Sequence, residues 1–160
     1  MNYKKVLDSR VEMLELVLPN DTNLLGNLLG GRLLHWVDIA GAMAASRHAQ
    51  SNVATVSIDS VDFKHPVKVG EMIVLKAQLT WVGTSSMEVL VEAYSENYLT
   101  GESKFTNRAY LTFVALDEQG KPRLVPRLLY ESEEEQKECM RAEIRRNQRL
   151  ERCKQDVDCK

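Results

Sequence analysis

A long helical pattern followed by four strand-like runs constrains the fold of this chain more than any other feature of its sequence. In residues 32–50 apolar side chains recur at helical spacing and also cover much of the opposite side, so we expect a long, buried helix. Runs rich in Val, Ile, Leu, Thr and aromatic residues, typical of strands, then occupy residues 53–63, 72–82, 87–94 and 105–116.

The connections between these runs are turns. They contain His65-Pro66 with Gly70, then Gly83 through Ser86, then Asn97 through Gly101. An earlier strand-like run at residues 11–18 ends at Pro19-Asn20-Asp21, which is also turn chemistry. One strand, one helix and four strands joined by turns do not form βαβ repeats, so we expect an α+β fold in which a mostly antiparallel sheet wraps the helix.

The composition is that of one globular domain. The chain has 160 residues, 44% of them hydrophobic and 28% charged, and its net charge of −2 leaves no positive excess for a nucleic-acid backbone. No uncharged apolar run approaches the ~18 residues of a membrane span, and the first residues do not resemble a signal peptide. We therefore expect a cytoplasmic protein with no nucleic-acid or membrane partner.

The last 30 residues differ from the rest, because 17 of them are charged. Acidic residues come first and arginines follow, the order that a helix dipole favours, so residues 131–160 are predicted to form a solvated helical tail on a domain of residues 1–130. Its three cysteines, Cys139, Cys153 and Cys159, lie far from every histidine of the chain. We interpret them as free, reduced thiols and expect no metal site.

Asp38 is the most unusual residue of the predicted helix. It lies between Val37 and Ile39, and an ionised carboxylate in such apolar surroundings is costly unless it is paired or has a function. One interpretation is a structural pair with His35, or an ion pair with Arg32 or with another segment of the chain. The other is a catalytic carboxylate.

Gly30-Gly31 and Asn23 precede this carboxylate. Paired glycines allow a ligand or another backbone to approach closely, and free N–H groups at a helix start attract a polarised oxygen. Asn23 offers an amide that both donates and accepts hydrogen bonds. Each feature also has a structural interpretation: the glycines as a plain helix start, and Asn23 as an Asx-turn residue after Asp21-Thr22.

Together these residues resemble the start of the hotdog-fold acyl-CoA thioesterases, which include bacterial short- and medium-chain enzymes and cytosolic mammalian relatives. The matching pattern is Asn23, Gly26, Gly30-Gly31, Asp38 and Ala40-Gly41-Ala42, and the resemblance continues through residues 55–63, 66–70, 82–87 and 111–115. It covers about residues 16–126. The chain departs from the family in Leu29, where Phe is frequent, and in Glu71, where Asp is common.

The resemblance implies a hotdog fold and hydrolysis of acyl-CoA to a carboxylic acid and CoA. Asp38 would be the general base or nucleophile, Asn23 of the other subunit its partner amide, and the N–H of Gly31 the oxyanion donor. It further implies a homo-oligomer, at least a dimer, for which the family also suggests a hexamer built as a trimer of dimers. No metal or cofactor is expected, because a thioester is already an activated acyl group. The alternative functions are those of an acyl-thioester dehydratase and of an acyl-CoA-binding regulator without catalysis.

The same resemblance suggests where the substrate binds. Gly30 would lie against it, and the CoA end would meet the N–H and hydroxyl groups of Gly83, Thr84, Ser85 and Ser86. Arg108, Arg123 or Arg127 would supply positive charge for the phosphates. The alternative for residues 83–86 is a simple hairpin turn.

Overall fold

The computed structural model describes residues 2–156. In chain order its elements are β1 (Tyr3–Lys5), α1 (Val6–Ser9), β2 (Val11–Leu16), a 3-10 turn (Pro19–Asp21), α2 (Gly30–Ala49), β3 (Asn52–Asp59), β4 (Met72–Val82), β5 (Ser86–Glu96), β6 (Ser103–Leu116), β7 (Arg127–Leu129) and α3 (Glu133–Gln155).

Five of the strands form one antiparallel sheet in the order β2-β4-β5-β6-β3, and α2 packs against β4, β5, β3 and β6 on one face of it. This arrangement confirms the predicted α+β fold with a sheet around a long helix. β1 and β7 form a separate parallel pair, which the sequence did not predict. No helix within residues 2–156 has the length and apolarity needed to cross a bilayer.

The core lies between α2 and the concave face of the sheet. Because side chains alternate along a strand, every second residue of the central strands points at the helix and is buried, among them Ile73, Leu75, Met87, Val89, Leu111 and Phe113. Gly41 allows α2 to approach the sheet closely, since a Cβ there would lie 3.1 Å from the ring of Phe113. Each large apolar side chain buried here contributes about 1.5–3 kcal/mol to folding.

One stripe of α2 remains exposed in the single chain. Ile39 is 37% and Met43 40% exposed, and His35 lies on the same stripe. The prediction of a helix buried on all sides is therefore wrong for one chain. The apolar residues that the sheet does not cover leave a surface that suits a partner.

The charged tail does form a helix, but α3 is not solvated on all sides. Ala142 is 1% exposed. Arg145 forms an ion pair with Glu88 on the outer side of the sheet, with 2.8 Å between Nη2 and Oε1. Met140 and Ile144 remain exposed. Of the cysteines, Cys139 is half-buried and Cys153 exposed, both as free thiols, while Cys159 lies outside the described residues.

Candidate active site

Asp38 is half-buried on the open stripe of α2 and is held by the neighbouring strand. The hydroxyl of Thr55, on β3, donates a hydrogen bond of 2.8 Å to Asp38 Oδ1. Arg32 pairs instead with Asp21, at 3.2 Å, so the interpretation of Asp38 as its ion-pair partner is wrong. Within residues 2–156, no cationic side chain lies within ion-pair distance of Asp38.

The start of α2 offers free backbone donors. Its N-cap residue, Leu29, provides no side-chain acceptor, whereas α3 begins with Ser132, whose hydroxyl accepts from the N–H of Glu135. The first N–H groups of any helix have no acceptor within the helix. An uncapped start therefore leaves donors and the positive end of the helix dipole for an oxyanion.

Gly30 and Gly31 have different surroundings at this start. A Cβ on Gly30 would lie 3.2 Å from the ring of Phe63, so this glycine is explained by packing within the chain. A Cβ on Gly31 would meet nothing within 4 Å. The space beside Gly31 is therefore open to a ligand or to a partner chain.

Asn23 lies in the loop that leads to α2, and its side chain shapes that loop. Its Oδ1 accepts hydrogen bonds from the N–H groups of Leu25, at 2.9 Å, and Asn27, at 3.2 Å. This confirms the Asx-turn interpretation. It also leaves the Nδ2 group as a donor, because only the oxygen is used in the turn.

A pocket of about 370 Å³ joins Asn23 to the start of α2. Gly30 lies in its wall, and the remaining lining is largely apolar: Leu28, Leu33, Phe63, Pro66 and Val67, with Asn27 and His65. Asp38 does not line it. At a rise of ~1.5 Å per residue, Asp38 lies about 12 Å along the axis from Gly30, so one chain brings Asn23 to the helix start but not to the carboxylate.

Residues 83–86 form the hairpin turn between β4 and β5. The N–H of Gly83 donates to the carbonyl of Ser86 at 2.8 Å, and a Cβ on Gly83 would lie 2.7 Å from the ring of Trp81. The hairpin interpretation is therefore confirmed. The carbonyl oxygen of Ser85 is also used, because it accepts from the N–H of Ala115.

One side of this turn opens into a cleft of about 410 Å³ at the C-terminal end of α2. Gly83 and Thr84 line it together with Arg123 and Arg127, two of the three predicted charge partners. Ser86 instead faces a second cleft, beneath α3. The structure thus places Gly83 and Thr84 at one surface and Ser86 at another, and Ser85 lines neither cleft.

Arg108 is not part of either surface. It forms a 2.9 Å ion pair with Glu92 across the two strands, and this hydrogen bond raises the pKa of Arg108, against a smaller opposing effect of burial. Glu92 lies six residues along β5 from Ser86, about 20 Å at the usual rise of a strand. The prediction that Arg108 assists residues 83–86 is therefore wrong within one chain.

Comparison with known proteins identifies the family. The sequence model of the Thioesterase superfamily matches residues 25–101. A Bacillus subtilis protein named uncharacterized acyl-CoA thioester hydrolase YkhA is 44% identical over 128 residues, which are 80% of this chain and 74% of that protein. The chain belongs to the acyl-CoA thioesterases of this superfamily.

Solved acyl-CoA thioesterase structures show the same fold. An apo-hexameric acyl-CoA thioesterase superposes with a TM-score of 0.90 at 43% identity, covering 95% of this chain and 97% of that one. An acyl-CoA hydrolase from Staphylococcus aureus, solved with butyryl-CoA, CoA and CoA disulfide, gives a TM-score of 0.86 at 35% identity over 96% of each chain. These neighbours confirm the predicted hotdog fold and enzyme class.

For this acyl-CoA thioesterase, sequence reasoning missed the contact of Thr55 with Asp38. Residues 53–63 predicted a strand, and a threonine is ordinary in a strand. The ladder between β3 and β6 is irregular between Thr55 and Ser57, so alternation alone does not predict which side chains face the helix. Only the packing of α2 against β3 brings the hydroxyl to the carboxylate.

Proposed function

We propose that this chain hydrolyses acyl-CoA thioesters to the free acid and CoA, with Asp38 as the reacting carboxylate. The observation that carries the proposal is the position of Asp38, held by Thr55 at 2.8 Å and unpaired with any cation in the described part of the chain. A carboxylate that is fixed but not neutralised is suited to remove a proton from water or to attack a carbonyl carbon.

Thr55 supports this role by fixing one oxygen of the carboxylate. Its hydroxyl occupies Oδ1, and Oδ2 then takes the proton of the attacking water, or attacks the thioester itself. In the general-base route the water oxygen bonds to the carbonyl carbon, the carbon–sulfur bond breaks, and the CoA thiolate takes up the proton that Asp38 received. In the nucleophile route Oδ2 bonds to the carbonyl carbon and the CoA thiolate leaves, which gives a mixed anhydride. Water then hydrolyses this anhydride to the free acid, which restores Asp38 and supplies the proton for the thiolate. No metal or organic cofactor is needed in this proposal, because the thiolate is already a good leaving group.

The Staphylococcus aureus hydrolase supports the assignment through the spacing of three of its residues. Structures of that enzyme have been solved with alanine in place of one aspartate, one asparagine and one threonine. Its asparagine and aspartate are 15 residues apart, and its threonine follows 17 residues later. Asn23, Asp38 and Thr55 have the same spacings.

The negative oxygen of the reacting carbonyl would be stabilised at the start of α2. The N–H of Gly31 and the Nδ2 group of Asn23 are the donors we assign to it, since Leu29 leaves the helix start uncapped. Gly31 and Asp38 of one helix are about 10 Å apart along its axis. That distance favours a site in which Asn23 and Asp38 come from different chains.

A twofold dimer would provide such a site. Within residues 2–156, β3 pairs only with β6, and its free edge carries exposed Val56 and Ile58. We propose that two β3 edges pair antiparallel about a twofold axis. The two α2 helices would then run antiparallel and bury Ile39 and Met43, with the start of each helix beside the second half of its partner. Three such dimers would form a hexamer.

This arrangement also accounts for the location of the Arg123 and Arg127 cleft, where we propose that the CoA phosphates bind. The cleft lies beside Ala49 and Gln50, at the end of α2 opposite to Gly30. The 20 residues of α2 span about 30 Å. In an antiparallel pair, the cleft of one chain lies near the Asn23 pocket of the other.

The assignment of Asp38 is tested by thiol release from a series of acyl-CoAs, with wild type and Asp38→Asn. We expect turnover to fall at least ~10²-fold, as for other acid–base groups, with acyl-CoA binding retained. Equal rates in the two proteins would remove Asp38 from the mechanism. A wild-type chain that binds acyl-CoA but releases no CoA at any chain length would instead be a non-catalytic regulator.

The shared site is tested by mixing Asp38→Asn with Asn23→Ala after subunit exchange. A mixed dimer has one site with both lesions and one site with neither, so activity is expected to reappear. Exchange demonstrated by mass labelling, without recovery of activity, counts against the two-chain site and leaves the role of Asp38 intact.

A further inference from the structure

We infer that Asp21 is a positioning residue for Asn23: it fixes the loop that carries Asn23 to the first turn of α2. This inference rests on the proposed function, in which Asn23 and the N–H of Gly31 act on one oxygen. Asp21 itself does not line the pocket that Asn23 and Gly30 share, so it acts on the site only through the loop.

Asp21 is 6% exposed and uses both carboxylate oxygens. Oδ1 lies 3.2 Å from Nε of Arg32, in the first turn of α2, and Oδ2 accepts from the N–H of Leu18 at 3.0 Å. Its backbone carbonyl accepts from the N–H of Leu29 at 2.9 Å. One residue therefore links the start of the loop, the end of the loop and the helix.

The loop between these anchors is a closed unit. The N–H of Asn23 donates to the carbonyl of Asn27 at 2.8 Å, and the Asn23 side chain closes the same turn. Such a unit moves as a whole, so its attachment decides where the Nδ2 group of Asn23 lies. The hydrogen bonds from Leu28 to Val67 and from Val69 to Gly26 attach the loop to the segment before β4, whereas Asp21 attaches it to α2.

The Asp21–Arg32 pair fixes the position of the Asn23 loop relative to the N–H of Gly31, because Gly31 immediately precedes Arg32. The ion pair is largely shielded on the Asp21 side, with Arg32 39% exposed. A displacement of about 1 Å at a reacting group costs up to ~10²-fold in rate. A loosened loop should therefore lower turnover more than it lowers stability.

The test is a double-mutant cycle on kcat with Asp21→Asn and Asn23→Ala. Asparagine keeps an acceptor for the N–H of Leu18 and loses the charge that holds Arg32. We expect Asp21→Asn to lower kcat about 10-fold with KM changed less than about twofold, and to have no further effect on kcat when Asn23 is already alanine. Arg32→Gln should reproduce the loss, and Arg32→Lys should restore part of it.

Asp8→Asn is the matched control. Asp8 accepts from the N–H of Lys5 at 2.8 Å at the start of α1, as Asp21 accepts from the N–H of Leu18, but it has no arginine partner in the described part of the chain. Asp8→Asn should therefore change the stability of the protein slightly and leave kcat unchanged.

The outcomes separate the inference from the function on which it rests. An equal loss of kcat on adding Asp21→Asn to wild type and to Asn23→Ala would show that Asp21 acts without Asn23, and would overturn the inference while leaving the proposed function standing. Wild-type kcat in Asn23→Ala would overturn the role of Asn23 itself. If Asp21→Asn does not fold, the same cycle with Arg32→Gln decides between these results.

Discussion

The two glycines at the start of α2 predict opposite effects of the same small substitution. Gly30→Ala places a methyl group 3.2 Å from the ring of Phe63, so the ring must move and the melting temperature should fall. Gly31→Ala meets no atom within 4 Å, and alanine is favoured over glycine in helices by up to ~1 kcal/mol. We expect it to fold as stably as wild type but to lose at least ~10-fold in kcat, because its methyl group enters the space of the reacting carbonyl. Wild-type turnover of Gly31→Ala would contradict the oxyanion assignment.

His48 makes stability depend on pH. It is 1% exposed, its Nε2 lies 2.9 Å from the carbonyl oxygen of Pro126, and its Nδ1 has no partner within residues 2–156. Burial lowers the pKa of His48, and the Pro126 carbonyl only partly opposes this. The neutral ring is therefore the folded form. Its contribution to stability is complete above the unfolded pKa of ~6.5 and is lost as the pH falls from there towards the lower folded pKa.

Urea unfolding of wild type and His48→Gln at pH 7.5 and 5.5 measures this contribution. Glutamine keeps a donor for Pro126 and does not titrate. We expect wild type to lose more stability than His48→Gln between the two pH values. Parallel losses in the two proteins would show that His48 is not responsible.

The attachment of α3 depends on a buried ion pair. Glu88, with 4% of its side chain exposed, accepts two hydrogen bonds from Arg145, at 3.1 and 2.8 Å. Arg145→Met would leave this carboxylate buried without its cation, which costs about 3–5 kcal/mol. Arg152→Met, at an arginine that is 67% exposed, should cost no more than ~1 kcal/mol. Denaturant midpoints compare the two variants, and similar losses would argue against a specific role of the buried pair.

The long elements follow from the sequence, whereas the short ones do not. β4 has the predicted bounds, Met72–Val82, and α2 differs from its predicted range by two residues at its start and one at its end. β3 ends at Asp59, earlier than predicted, because Ser60 has a positive φ of 55° and turns the chain. β1 and β7 have three residues each and pair across the chain, Tyr3 with Arg127, so no local pattern marks them.

The candidate site was predictable only in part. Asp38 stood out because a charge is unusual within an apolar helix, whereas the roles of Asn23 and Gly31 followed from the resemblance of the joint pattern to the thioesterase family and not from either residue alone. The Thr55 contact and the role of Asp21 depend on distances between elements that are remote in sequence. The misplacement of Arg108 has the same cause, since the sequence does not specify that β5 and β6 pair with Glu92 opposite Arg108.

The free edge of β3 and the open stripe of α2 predict that a single chain is incomplete. A lysine at Val56, which is 58% exposed on that edge, should prevent strand pairing, since charged residues protect sheet edges. We expect Val56→Lys to be monomeric by light scattering. It should also lose thioesterase activity, because a monomer lacks the partner's Asn23. Leu99→Lys, in an exposed turn at 82%, is the control and should keep both. An active monomer would contradict the two-chain site.

The order of elements along the chain also affects how the protein is made. α2 precedes all three central strands against which it packs, and β6, the last of them, ends at Leu116. During synthesis the helix is therefore complete roughly 65 residues before its binding surface, for several seconds at ~5–20 residues per second. The hairpins β4–β5 and β5–β6 join neighbouring segments, a topology that folds fast. A sheet that forms as fast as it is translated would then pack against α2 as soon as β6 is complete. Until that moment the apolar side chains of the helix that carries Asp38 have no partner surface, so this helix is the segment most in need of protection on the ribosome.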